Sequence, residues 1–330
     1  MSGLQSNTAK ESRIASWVEH ACLNPTGSYL FCFRGGLRSQ TAALWIREST
    51  GGSVSVPIVV GGAKAMRRFL VDELEANVQL TDLVLIRGET GSGKTRIIEA
   101  LGETRSIDLE GTARHRGSAF GRMPEYTDQI SQVDFENGLS ISLMRLLDAA
   151  GDDDNGATAT TTKPARVYVE DESHRIGMVT IPPPLFHKMS TCESYVTVTA
   201  TMDERIDNII DDYVVDLRRR YVAMYGAELG PKMHRDRMVG DLERIRKGKL
   251  GGKKRHAAVV EIMARAFDEF DEFDESTGGD TGVHREWIGT LLKEYYDPMY
   301  QHQAQAGKGE EVFRGSKEEV IKWALEENAK

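Results

Sequence analysis

The sequence predicts an α/β protein that ends in an α-helical region, and three observations carry that expectation. Short apolar, β-prone runs alternate with helical stretches up to about residue 200, a pattern that builds parallel sheets. One of those runs leads through a glycine-rich turn straight into a helix. Beyond about Asp203 the residues Ile206, Ile209, Ile210, Tyr213, Leu217 and Tyr221 recur at helical spacing on one face, so the last third is expected to be all α.

Taken in order, Ser28–Cys32 is apolar and predicts a strand, Arg34–Arg38 a loop, Gln40–Arg47 a helix and Val54–Val60 a second strand. A second α/β unit opens at Leu83–Ile86, continues in a helix over Lys94–Leu101, and adds strands near Ile107–Leu109, Arg166–Val169 and Tyr195–Val198. Gly151–Lys163 has no apolar period and is expected to be a surface insertion. These elements divide the chain into residues 1–76, 77–204 and 205–330.

Composition narrows the class. The 330 residues are 40% hydrophobic and 28% charged, an ordinary globular mixture that excludes wholesale disorder, collagen and coiled coil. No apolar run reaches the ~20 residues of a bilayer span and Met1–Arg13 lacks a signal core, so no membrane partner and a cytoplasmic location are expected. Cys22, Cys32 and Cys192 are too few and too scattered for a disulfide framework or a zinc site. Cys22 and Cys192 are expected in the core. With 42 Lys+Arg against 51 Asp+Glu the net charge is −9, so nucleic acid needs a local basic patch. Arg244–His256 holds seven Lys/Arg and no acid, including Arg244, Lys253, Lys254 and Arg255, with Arg218, Arg219 and Arg220 as a supplement, whereas Asp268–Asp280 holds seven acids. A solvated charged face is the plainer alternative for such runs.

Two motifs carry chemistry. Gly88-Glu-Thr-Gly91-Ser-Gly93-Lys94-Thr95 has the spacing of a phosphate-binding P-loop between a strand and a helix. Its backbone N–H groups and the helix N-terminus converge on a diphosphate or triphosphate, Lys94 adds charge, and Thr95 is placed for Mg²⁺. Downstream, Glu170, Asp171 and Glu172 end an apolar strand where such folds hold Mg²⁺; Glu170 and Asp171 are the favoured carboxylates and the choice between them stays open. The other motif, Cys32-Phe-Arg34-Gly-Gly-Leu-Arg38-Ser39, follows a strand and opens a helix, so backbone amides and the two arginines would lower the thiol pKa. Tyr295, Tyr296 and Tyr300 are read as packing residues rather than base-stacking ones.

The cysteine loop resembles that of rhodanese domains. Together with Gly61-Gly-Ala-Lys-Ala65, Asp108-Leu-Glu-Gly111, His115-Arg-Gly-Ser-Ala-Phe-Gly121, Glu170-Asp-Glu-Ser-His174, Ile176-Gly177 and Tyr295-Tyr-Asp-Pro298, in that order, it is similar to the bacterial tRNA 2-selenouridine synthases. The resemblance implies a partial rhodanese-like domain, then a P-loop NTPase-like parallel-sheet domain, then the helical region. Only 31 residues precede Cys32, so the rhodanese-like part is expected to be N-terminally truncated, its missing strands absent or supplied by a partner chain. It further implies replacement of sulfur by selenium in wobble 2-thiouridine of tRNA, with selenophosphate and geranyl diphosphate as co-substrates and an S-geranylated intermediate. Cys32, Arg34 and Arg38 are then catalytic, Gly88, Gly91, Gly93, Lys94 and Thr95 bind phosphate, and His115, Arg116, Ser118, Glu170 and Asp171 line the site. Mg²⁺ on Thr95 and Glu170 is the expected cofactor; haem, flavin and zinc are not expected. A P-loop ATPase or small-molecule kinase with a vestigial cysteine loop, and a non-catalytic sulfur carrier, are the rival readings.

Overall fold

The computed structural model describes residues 2–24, 27–126, 128–152, 165–245, 250–271, 280–300 and 309–327. Most of the expected insertion at Gly151–Lys163, and parts of the basic and acidic runs, lie outside the described residues. The chain divides into two compact units, Met1–Glu73 and Leu74–Lys330.

The first unit contains α1 (Ser2–Leu23), α2 (Leu37–Ser49) and the start of α3 (Gly62–Gln79). Its small core gathers Ala21, Ile46 and Val56, with Trp17, Val18, Leu30 and Val54 against them. The expected strands at Ser28–Cys32 and Val54–Val60 are corrected to one parallel bridge, Leu30 with Ile58. Leu30 N–H donates to Pro57 O (2.8 Å) and Val59 N–H to Leu30 O (2.9 Å). Two short segments without further neighbours do not make a sheet. Phe31, Phe33, Leu37 and Val60 are consequently exposed.

The second unit is built on five parallel strands: β1 (Thr81–Gly88), β2 (Ser106–Ile107), β3 (Ala165–Glu170), β6 (Ser194–Val198) and β7 (Glu310–Gly315). Between β3 and β6 lies the small antiparallel pair β4 (Arg175–Ile176) and β5 (Val179–Thr180). The sheet order is β2-β3-β1-β6-β7, with β1 paired directly to β3 from Thr81–Ala165 to Ile86–Glu170. Strand alternation explains the two faces. Leu83, Leu85, Val167 and Val169 point to a core with α6 (Gln132–Asp152), α7 (Pro183–Ser190) and the end of α3. Val84, Ile86, Tyr168, Val196 and Val198 point to the opposite core, which α4 (Lys94–Leu101) and α12 (Lys317–Glu327) cover through Ile97, Ile98, Leu101, Val320 and Ala324.

The short α5 (Leu109–Ala113) follows β2. After β6 come α8 (Met202–Ile209), a π-helical turn (Ile210–Asp216), α9 (Leu217–Ile245), α10 (Lys253–Asp271), a 3₁₀ turn (Thr281–His284), α11 (Arg285–Leu291) and a second π-helical turn (Leu292–Tyr296). They enclose a third core around Phe267, Phe270, Trp287 and Leu292. The all-α expectation for the last third is corrected by β7, which pairs with β6 along the sheet edge, and by α12, which packs against α4. Among the described residues no helix is long and apolar enough to cross a membrane.

Candidate active site

β1 feeds directly into the glycine-rich turn. Gly91 (φ +81°) and Gly93 (φ +91°) take left-handed backbone, and a Cβ on Gly91 would lie 2.7 Å from Arg205 O, so the loop closes only with glycine there. Gly93 caps the N-terminus of α4, presenting the helix's free amides to the loop. Lys94 Nζ donates to Gly88 O (2.9 Å) and Glu89 O (3.4 Å), folded back onto the turn.

Arg205 braces this loop, a role its position in the sequence did not reveal. Buried on α8, it donates through Nε to Thr90 O (2.8 Å) and pairs with Glu89 (2.8 Å) and Asp297. Asn208 Nδ2 donates to Gly91 O at 2.8 Å, tying the same helix to the turn. Asp297 belongs to the Tyr-Tyr-Asp-Pro block, and its partnership with Arg205 accounts for that acid.

Opposite Thr95 stand three carboxylates. Glu170, at the end of β3, is carried beside the turn by the β1–β3 pairing, and its Oε1 accepts from Thr95 Oγ1 at 2.8 Å. Glu110, which sequence reasoning passed over, arrives from α5: Asp108 caps that helix by accepting from Gly111 N–H (2.7 Å), placing Glu110 in its first turn. Glu110 accepts from Gly117 N–H and lies 3.4 Å from Thr95 Oγ1. With Glu172, their oxygens fall within 4.8 Å of one another. Burial, then the charge of Glu172, pushes the Glu110 carboxyl from its ordinary 4.5 up to about 7. Burial, then Glu110 and Glu172, pushes Glu170 well above the ordinary range, and burial also raises Glu172. Glu170 Oε2 is buried without a hydrogen-bond partner. An all-oxygen donor set with an orphaned carboxylate oxygen fits a hard cation such as Mg²⁺, which Thr95, Glu110, Glu170 and Glu172 could hold. Asp171 turns instead to Arg87, at 2.7 Å, and is not part of the trio.

A 440 Å³ cleft joins the turn and the carboxylates to His115, Arg116, Ser118, Asp171, Tyr213, Arg220 and Tyr300. Burial, then Arg122, holds His115 down to about 4, so its ring is neutral near pH 7. Arg116 pairs with Asp216 (2.9 Å) and donates to Asp212 O; Ser118 Oγ and Tyr213 OH share a hydrogen bond of 2.8 Å. Tyr295 and Tyr296 pack against the helical core, while Tyr296 and Tyr300 also border the cleft.

In the first unit, Cys32 is half-buried with Sγ 3.4 Å from Ser39 Oγ. Hydrogen bonds from the Ser39 hydroxyl first, and from backbone N–H groups of Ser39, Arg34 and Gly36, lower the thiol to about 6. The expected backbone amides are among the leading causes, joined by the Ser39 hydroxyl, which the expectation did not include; the charges of the exposed Arg34 and Arg38 side chains are not among those leading causes. Gly62 (φ +61°) holds the loop from beneath, where any Cβ would collide with Cys32 O, and Ala63 N–H donates to Cys32 O at 2.9 Å.

The basic side chains separate. Arg218 is 1% exposed, pairs with Asp271 and lies 5.0 Å over the Phe270 ring, so it is corrected from a surface cation to a core one. Arg219 is exposed beside Asp216, and Arg220 joins Asp216 (2.7 Å) and Glu125 (2.9 Å). Arg244 pairs with Asp241 at 3.2 Å and Arg255 with Glu294, while Lys253 and Lys254 are exposed at the start of α10. Cys192 is buried, as expected; Cys22 is exposed, a correction to its expected core position.

The family model for the tRNA 2-selenouridine synthase AAA domain matches residues 81–330, so the resemblance runs through the last strand and helix. A tRNA 2-selenouridine synthase of Marinobacter nauticus is 40% identical over 321 residues, 97% of this chain and 80% of the relative. Proteins of the same name from Pseudomonas syringae pv. tomato (39%, the same coverage) and Azotobacter vinelandii (39% over 323 residues, 98% and 80%) are similarly close. No solved structure matches. Identity at this level along nearly the whole chain places it in the tRNA 2-selenouridine synthase family.

Proposed function

We propose that the chain is a tRNA-modifying enzyme that replaces the sulfur of wobble 2-thiouridine by selenium, through an S-geranylated intermediate. The observation that supports the second unit's part is the cleft that unites the glycine-rich turn, the carboxylates of Glu110, Glu170 and Glu172, and neutral and cationic side chains. In this reading the amides of Gly88–Thr95 and Lys94 bind the diphosphate of geranyl diphosphate. The thiocarbonyl sulfur forms a bond to the carbon bearing that diphosphate, the carbon–oxygen bond breaks, and the diphosphate leaves. Hydroselenide then adds at C2 through selenium, the C2–S bond breaks, the geranyl thiolate departs and the proton passes to N3, with selenium at the selenide level throughout. Bound Mg²⁺ would neutralise charge on the leaving diphosphate. Cys32, anionic near pH 7, is proposed to deliver selenium by attacking the phosphorus of selenophosphate: an S–P bond forms, the P–Se bond breaks and hydroselenide is released, Arg34 and Arg38 neutralise the phosphoryl oxygens, and water then cleaves the S–P bond to free phosphate. Lys253, Lys254 and Arg219 are the exposed cations proposed to meet tRNA phosphates.

The test is mass spectrometry of tRNA nucleosides after incubation with geranyl diphosphate and selenophosphate. Lys94→Ala is expected to abolish geranylation, and Cys32→Ala to spare it while blocking selenation. Equal loss of both steps in both variants refutes this division, and turnover of ATP indifferent to tRNA would favour the kinase reading.

A further inference from the structure

The cleft has a side chamber of different chemistry. Behind Thr90, Ser118, Ile209, Tyr213 and Tyr296, all of which also border the cleft, lies a cavity of 30 Å³ walled by Phe120, Met238, Trp287, Ile288, Leu291 and Leu292. Its lining is almost wholly hydrocarbon. That volume has room for about two water-sized groups, but a chamber so poor in polar partners stays dry and suits apolar atoms. Two of its walls are the π-helical turns: Tyr213 stands on Ile210–Asp216, and Leu292 and Tyr296 on Leu292–Tyr296. Such turns are rare and gather at functional sites, because the extra residue per turn re-aims side chains. Here both re-aim toward one spot. Ile209, beside the first π turn, also lies close against Gly91 of the phosphate turn, so the chamber lies next to where a diphosphate would sit.

We infer that this chamber is the subsite for the hydrocarbon end of an alkyl diphosphate whose phosphates occupy the Gly88–Thr95 turn, and that its walls set the preferred chain length. The inference rests on the proposed binding of a prenyl diphosphate and adds where the tail goes. The lining it shares with the cleft argues for one occupant: a ligand anchored by charge at Lys94 would extend past Thr90 and Ile209 into apolar walls. The branched terminus of an isoprenoid carries two methyl groups, matching the room available, while the middle of the chain lies in the cleft.

Direct binding to the full chain decides the matter, with inorganic pyrophosphate and dimethylallyl, geranyl and farnesyl diphosphates as probes. Geranyl diphosphate is expected to bind at least about tenfold more tightly than pyrophosphate, since each buried methylene adds a several-fold gain. Met238→Phe, which fills the chamber, should cut that advantage about tenfold and leave pyrophosphate affinity unchanged. Leu291→Ala, which enlarges it, should move the preference toward farnesyl diphosphate. Retained pyrophosphate binding reports that each variant is folded, and if one is not, the other decides. An undiminished geranyl advantage in the folded variants, or no advantage in the parent protein, overturns the tail subsite. Failure of the parent to bind pyrophosphate would instead overturn the diphosphate reading beneath it.

Discussion

Glu110→Gln is expected to change how stability depends on pH. In the folded protein the Glu110 carboxyl is raised from 4.5 to about 7, so between those values the folded state holds a proton that the unfolded chain has released. Stability is therefore lost as pH climbs through that window, the reverse of an ion-paired carboxylate. The full difference corresponds to at most about 3 kcal/mol, or about 6–12 °C in Tm for a unit of this size. Glutamine keeps an oxygen to accept from Gly117 N–H and is neutral throughout, so the variant should lose less stability than the parent from pH 4.5 to 7. Mg²⁺ at pH 8 should restore the parent more than the variant, because a cation binding only the folded site stabilises it and answers the same repulsion. Thermal denaturation of parent and variant at pH 5 and pH 8, with and without Mg²⁺, measures both effects. Parallel pH profiles for parent and variant would refute the claim that the trio is a proton-holding cation site.

Three further outcomes follow from the geometry. Ser39→Ala should move the midpoint of Cys32 alkylation by iodoacetamide from about pH 6 toward the ordinary thiol value of 9.0, whereas Arg38→Ala should leave it in place. Gly62→Ala should destabilise the first unit by about 1–3 kcal/mol, because the new Cβ meets Cys32 O and the backbone there is left-handed; increased proteolysis of the cysteine loop is the readout. Arg205→Met should cost about 3 kcal/mol, since it strands Asp297 and Glu89, and should weaken pyrophosphate binding in the same protein.

The phosphate turn was fully legible because its chemistry is local: spacing, flanking strand and following helix all lie within Leu83–Leu101. Glu170 could be read for the same reason, as the polar end of an apolar strand. Glu110 could not, since nothing in Asp108-Leu-Glu-Gly111 says that β2 will sit beside β3 and bring a third acid to Thr95. Arg205 was hidden likewise, its partners lying at Glu89, Thr90 and Asp297. The edge strand β7 escaped because Glu310-Glu-Val-Phe-Arg-Gly is mostly polar, as one-sided edges often are, and its partner lies far upstream at Ser194–Val198. The rule that apolar β-prone runs become strands failed in the first unit, where Ser28–Cys32 found only a single bridging neighbour.

That late edge strand has a bearing on biosynthesis. Lys317, the residue that opens α12, borders Gly93 of the phosphate turn, and α12 seals the sheet face beneath α4. A ribosome must therefore translate past Glu327 before the cradle acquires its outer wall, and a nascent chain stalled ahead of Glu310 would carry the right loop on an unfinished platform.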